Sequence, residues 1–210
     1  MSNNPIDLDQ KKPDIEAWAQ AAILDESMRQ TMLEEIAPSK KHTPRSYNCF
    51  LALEKVAETR PELLADHWEE WVAQLKNQKD GERFKAIHFI SALAKAPGEE
   101  RFADILDRFF ALLDDPSLPN AGHVAGMAGG IACAKPELIP SITRHLMMVE
   151  KTHFDPGRQG LINWYVLESM DQFMHLVKDK GDILKFVRGL LDCPNARLQK
   201  RAQAFLKKWG

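Results

Sequence analysis

The sequence predicts an all-α fold, an α-solenoid of about five antiparallel helix pairs. Three observations carry this. Apolar residues recur at i, i+3, i+4 and i+7 in almost every segment after Asp14, short Pro, Gly and Asp clusters interrupt them at helical lengths, and a two-helix unit returns every 37 to 45 residues. No segment shows the alternation of a half-buried strand.

Taken in order, residues 1–13 are polar and charged between Pro5 and Pro13 and read as a flexible leader, with 14–210 as a single helical repeat domain. The stretch 15–36 is amphipathic but aligns poorly with the later helix pairs, as an atypical terminal pair would. PSKKHTP stops one helix at Pro38 and opens the next, with Thr43 as N-cap and Pro44 at the first helical position. Comparable breaks stand at Pro61, Gly81, Pro97, Pro116, Pro136, Pro156, Gly181 and Pro194. The segments between them make about eleven helices of the usual globular length.

The internal repeat is the strongest signal. PELLADHWEEWVAQL from Pro61 and PELIPSITRHLMMVE from Pro136 share an opening and lie 75 residues apart, and ERFADILDRFFALL falls midway. Aligning Leu64, Phe102, Ile139 and Leu184 gives steps of 38, 37 and 45 residues. The columns three and seven places on read His67, Ile105, Ile142, Val187 and Trp71, Phe109, Leu146, Leu191, so eleven of the twelve positions are large and apolar. Each of these second helices comes after another amphipathic segment, at 46–59, 82–95, 124–134 and 161–178. One such pair cannot bury its apolar stripes alone, whereas stacked pairs share a continuous core. In period and helix pairing the chain resembles the HEAT and armadillo-like repeat family over 14–210, a resemblance that implies a fold and leaves function to the surface.

The chain has 210 residues, 44% hydrophobic and 28% charged, which suits a folded domain and excludes disordered and collagenous classes. A formal charge of −2 conceals an asymmetry: residues 1–105 sum to −5 and residues 106–210 to +3, which predicts an elongated, electrically polarised molecule. Cys49, Cys133 and Cys193 are odd in number and widely spaced, without CxxC, so they read as reduced thiols in a cytoplasmic protein. No apolar run approaches the length of a membrane span.

No motif calls for catalysis, a metal or a small-molecule cofactor. His67 and Glu70 lie one turn apart, and Glu168, Asp171 and His175 share a helix, but neither group has a second half. Helical-repeat metal hydroxylases carry paired His-Glu dipeptides, and this sequence has none. AGHVAGMAGGIACAKP lacks the Lys-Ser/Thr of a phosphate loop and reads as a helix whose small face lets its neighbours approach. KTHFDPGRQG (151–160) reads as a loop lengthening the last repeat step, with His153, Asp155, Arg158 and Gln159 as candidate binding residues and Trp164 opening the helix after it. The last helix, NARLQKRAQAFLKKWG, bears Arg197, Lys200, Arg201, Lys207 and Lys208 and no acid, as a polar end cap or a phosphate-contacting face would.

In a solenoid, the non-core positions of the second helices form the natural binding surface. Here they read Asp66, Glu69, Glu70, Asp104, Asp107 and Arg108, then Arg144, His145, Lys185 and Arg188, acidic first and basic later. Such a graded face suits a protein or peptide partner better than a uniform polyanion, and a non-catalytic binding scaffold is the expected function. The alternative is a DNA-binding or repair protein using the basic C-terminal half. Trp164, Glu168 and Arg188 superficially resemble the site of helical-repeat alkylpurine glycosylases, although the acid is Glu where that family has Asp.

Overall fold

A computed structural model describes residues 6–10 and 12–210. Among them are eleven α-helices, several short 3-10 turns and no strand, distributed over two compact units that meet in sequence between Trp71 and Val72. The leader expectation falls partly on residues 1–5 and 11, outside the described residues; within 6–10, Leu8 is buried and Asp9 pairs with Arg45 at 3.0 Å.

In the first unit, α1 (Ile15–Leu24) and α2 (Glu26–Glu35) pack on α3 (Pro44–Thr59). Asp25 both ends α1 and begins α2: its N–H donates to the Ala21 carbonyl, and its carboxylate accepts from the Ser27 and Met28 amides. Thr43 caps α3 reciprocally with Ser46, as the Thr43-Pro44 sequence predicts. Trp18, Ala22, Met32, Ile36, Phe50, Leu53 and Val56 form the core. Two 3-10 turns then lead to α4 (Trp68–Gln74), within which the boundary between the units falls.

The second unit holds α5 (Asp80–Ala94), α6 (Phe102–Phe110), α7 (Leu118–Ala134), α8 (Ile139–Leu146), α9 (Pro156–Phe173), α10 (Gly181–Gly189) and α11 (Ala196–Trp209). The first helices of successive pairs, α5, α7, α9 and α11, lie side by side, and α6 neighbours α8. The glycine-rich segment does what its composition predicts. A Cβ on Gly129 would stand 2.8 Å from the Ser169 Cα, and Ser169 Oγ donates to the Ala125 and Gly126 carbonyls at 2.5 and 3.0 Å, so α9 sits directly on the α7 backbone.

α5 is buried from Glu82 to Ala94 except at half-buried Phe84, and its charges are compensated. Arg83 donates to both oxygens of Asp115 at 2.5 and 2.8 Å and to the Asn77 and Gln78 carbonyls, while Lys85 pairs with Glu82 at 2.7 Å.

Two sequence expectations need correction. The 151–160 segment is only half a loop: α9 begins at Pro156, with Asp155 as its N-cap accepting from the Gly157 and Arg158 amides, so Arg158 and Gln159 lie in its first turn. The signal was an N-cap with Pro directly after it, the same one that opens α3. At α10 two of the three column positions move by one residue, because Ile183 and, in the turn after the helix, Leu190 are buried while Leu184 and Leu191 are half-buried; Val187 is buried as expected.

Candidate functional site

The second helices of the 72–210 unit carry most of the predicted face. Asp104, Asp107 and Arg108 on α6, Arg144 on α8, and Lys185 and Arg188 on α10 are all exposed. Asp107 and His145 come together: His145 Nε2 lies 2.8 Å from Asp107 Oδ1, and the imidazole stacks on Phe110 at 5.3 Å between centroids. This pair ties α6 to α8 and is satisfied within the fold. Asp104, Arg108, Arg144, Lys185 and Arg188 form no ion pair among the described residues. In the first unit, Asp66 is exposed, and Glu70 accepts from half-buried His67 across 3.1 Å in the local pairing its spacing suggests. Glu69 is exposed on α4. Arg158 pairs with Asp155 at 3.4 Å, and half-buried Trp164 meets the Tyr165 ring edge-on at 5.3 Å.

Between α8 and α10 the surface opens into two cavities. One, of about 680 Å³, is bounded by Ile139, Thr143, Arg144, Lys178, Asp179 and Ile183. The other, of about 510 Å³, reaches past α10 to α9 and the start of α11, between Glu150, Asn163, Lys185, Phe186, Leu190 and Leu198. Met147 and Asp182 border both. Of the bordering residues, Thr143 in the first and Asn163 in the second each bury a side-chain oxygen that has no hydrogen-bond partner, Thr143 Oγ1 and Asn163 Oδ1. Asn163 had a sequence signal: it interrupts the apolar stripe of Ile162, Val166 and Met170 on α9.

A third concavity, of about 380 Å³, runs between α7 and α9 and is almost wholly apolar, with Tyr165 and Leu161 exposed at its edge. Its one titratable imidazole, His123, has its Nδ1 3.2 Å from His88 Nε2.

The C-terminal basic face is less free than its sequence suggests. Although α11 contains no acid, α9 supplies two: Arg201 pairs with Glu168 at 2.8 Å, while Lys208 and the Trp209 indole N–H reach Asp171 at 2.8 and 2.6 Å. Burial pushes the Asp171 carboxyl up, but hydrogen bonds from Lys208 and Trp209 and the charges of Lys208 and Arg201 outweigh it and hold the group below its ordinary range. Lys180 and Lys208 also flank the Trp209 ring, at 4.8 and 4.7 Å. Arg197, Lys200 and Lys207 remain exposed. Glu168 and Asp171 are thus engaged as structural anions, and no cluster of metal-ligating side chains occurs among the described residues.

Two solved structures share this fold. One, an engineered protein, superposes with a TM-score of 0.55 at 17% identity over 97% of this chain and 92% of its own. The other, a designed armadillo repeat protein, gives 0.51 at 16% identity over 97% of both chains. The chain therefore has an all-α solenoid fold of the armadillo/HEAT-like helical repeat class, and at these identities the likeness speaks to fold alone. No protein-family model and no curated protein matches the sequence. Among the described residues, no helix is long and apolar enough to cross a membrane.

Proposed function

We propose that this protein is a non-catalytic scaffold that binds a protein or peptide segment across the second-helix face of residues 72–210. The carrying observation is the opening between α8 and α10, where two cavities are rimmed by Arg144, Lys178, Lys185, Glu150 and Asp182, none of them in an ion pair among the described residues. Charges left unpaired beside apolar concavities are available to orient a partner, while the concavities take up its side chains. The exposed acids of α6, succeeded by the bases of α8 and α10, favour a segment with complementary ends over a uniform polyanion. The three free cysteines support a reducing compartment, the cytoplasm.

The test is selection of a random-peptide display library on the immobilised full-length protein, then fluorescence anisotropy with an enriched peptide. Reversing two rim charges together, Arg144→Glu with Lys185→Glu, should weaken binding about tenfold or more. Unchanged affinity, or no enriched peptide, would overturn the assignment. Duplex DNA is titrated in parallel, and binding that falls steeply with salt and outcompetes the peptide would replace this reading with nucleic-acid recognition.

A further inference from the structure

We propose that the exposed face of α11 is a docking surface for the phosphate backbone of a double-stranded nucleic acid. α11 belongs to the row of first helices, so this surface is distinct from the second-helix residues assigned to the peptide and adds a second partner. Arg197, Lys200 and Lys207 are exposed and form no ion pair among the described residues. Their spacings of three and seven residues put them on one side of the helix, away from buried Leu198, Ala202 and Phe205, in a row about 15 Å long. Gln203 and Ala204, exposed between them, bring no charge, and residues 193–210 contain no acid; Asp192 is the nearest in sequence.

The fold does not account for this row. Arg201 and Lys208 answer to Glu168 and Asp171 on α9, and Lys207 in the last turn suits the helix dipole. Arg197 and Lys200 have neither reason. Arg197 is the second residue of α11, where a cation opposes the dipole and no acid in the first turn offsets it. It also meets a like charge three residues on, at Lys200. Cations that oppose their own helix and meet no acid of the fold are complementary to an anion outside it.

Charge density selects the anion. Over about 15 Å of its axis a duplex presents about nine phosphate charges, so each cation of so short a row finds one. An anionic bilayer is held by larger basic clusters, about four to eight residues, or by a basic patch together with an apolar anchor. This face has three free cations, and no large apolar side chain of α11 is exposed. A single strand calls for an open aromatic ring on which bases stack. Trp209 is half-buried, its indole N–H is held by Asp171, and Lys180 and Lys208 flank its ring. Two of the three cations are lysines, point charges that suit phosphates better than base edges, so the contact is independent of sequence.

The test is fluorescence anisotropy of a short labelled DNA duplex with the full-length protein. Three phosphate contacts predict that affinity falls about fortyfold between about 20 and 80 mM salt, equally for a duplex of scrambled sequence. Combining Arg197→Gln, Lys200→Gln and Lys207→Gln should weaken binding at the lower salt about tenfold or more and remove most of the salt response. No binding at the lower salt, an unchanged salt response in the triple variant, a marked preference between the two duplex sequences, or tighter binding to phosphatidylserine-containing vesicles than to the duplex would overturn the assignment. The wild-type salt response is read without any variant, so the proposal stays testable if the triple variant fails to fold. Displacement of the duplex by a display-selected peptide would move it to the second-helix face and overturn this surface. Duplex binding without displacement supports two separate surfaces, and failure of the peptide selection would leave the α11 result standing.

Discussion

Adjacent glycines on α7 offer a way to isolate the cost of the close helix approach between α7 and α9. Replacing either Gly129 or Gly130 by alanine removes the same backbone freedom and raises helix propensity by the same amount, about 1 kcal/mol. The surroundings differ. At Gly130 the new Cβ lies 3.4 Å from the Lys95 Cδ, the middle of a flexible side chain that can yield. At Gly129 it lies 2.8 Å from the Ser169 Cα and from the Gln172 carboxamide. Gln172 is exposed and can rotate away; the Ser169 backbone moves only if α9 moves.

Forcing a methyl group into a packed site of this kind costs about 1–3 kcal/mol. Gly130→Ala should therefore stabilise the protein by up to about 1 kcal/mol. Gly129→Ala should fall below it by the full overpacking cost, since the propensity gain cancels between the two. Urea unfolding monitored by circular dichroism measures the difference, with equal m-values confirming that the unfolded states are comparable. Gly129→Ala as stable as Gly130→Ala, or more so, would refute the claim that α9 rests on the α7 backbone there.

Asp115 is 2% exposed and receives two hydrogen bonds from Arg83 together with the Ser117 amide. Asp115→Ala should cost about 3–5 kcal/mol by stranding a buried guanidinium, and Arg83→Met combined with Asp115→Leu should recover part of it; urea unfolding of the three variants decides. For Asp171 the folded pKa lies below its ordinary value, so its contribution is present above the unfolded pKa and is lost as pH falls through the folded one. The stability gap between wild type and Asp171→Asn should be widest near neutrality and close on acidification below about pH 4; a gap that stays constant between neutral and strongly acidic pH would show that the α9–α11 ion pairs do not act as described.

How far the sequence could be read depended on the range of the physics involved. The N-cap of α3 was legible because Thr43, Pro44 and Ser46 satisfy each other within four residues. The start of α9 carried the same chemistry in Asp155 and Pro156, but Gly157 and Gly160 so close behind resemble a loop, and only the placement of that turn against its neighbours shows it to be helical. The one-residue slip in α10 has a related origin: Leu184 and Leu191 are as apolar as Ile183 and Leu190, and hydrophobicity alone cannot choose between adjacent stripes. Partners supplied by another helix were out of reach altogether. The sequence shows α11 as a basic face, whereas Glu168 and Asp171, on α9 two helices earlier, neutralise part of it. The α8–α10 cavities belong to the same category. Their residues come from separate repeats, and Asn163 reads in sequence as a mere interruption of an apolar stripe. It borders a cavity only where Phe186 and Leu190 from the next helix pair enclose the space beside it. A repeat fold is written within each period and is therefore legible; a site formed between periods depends on side chains that no single period contains.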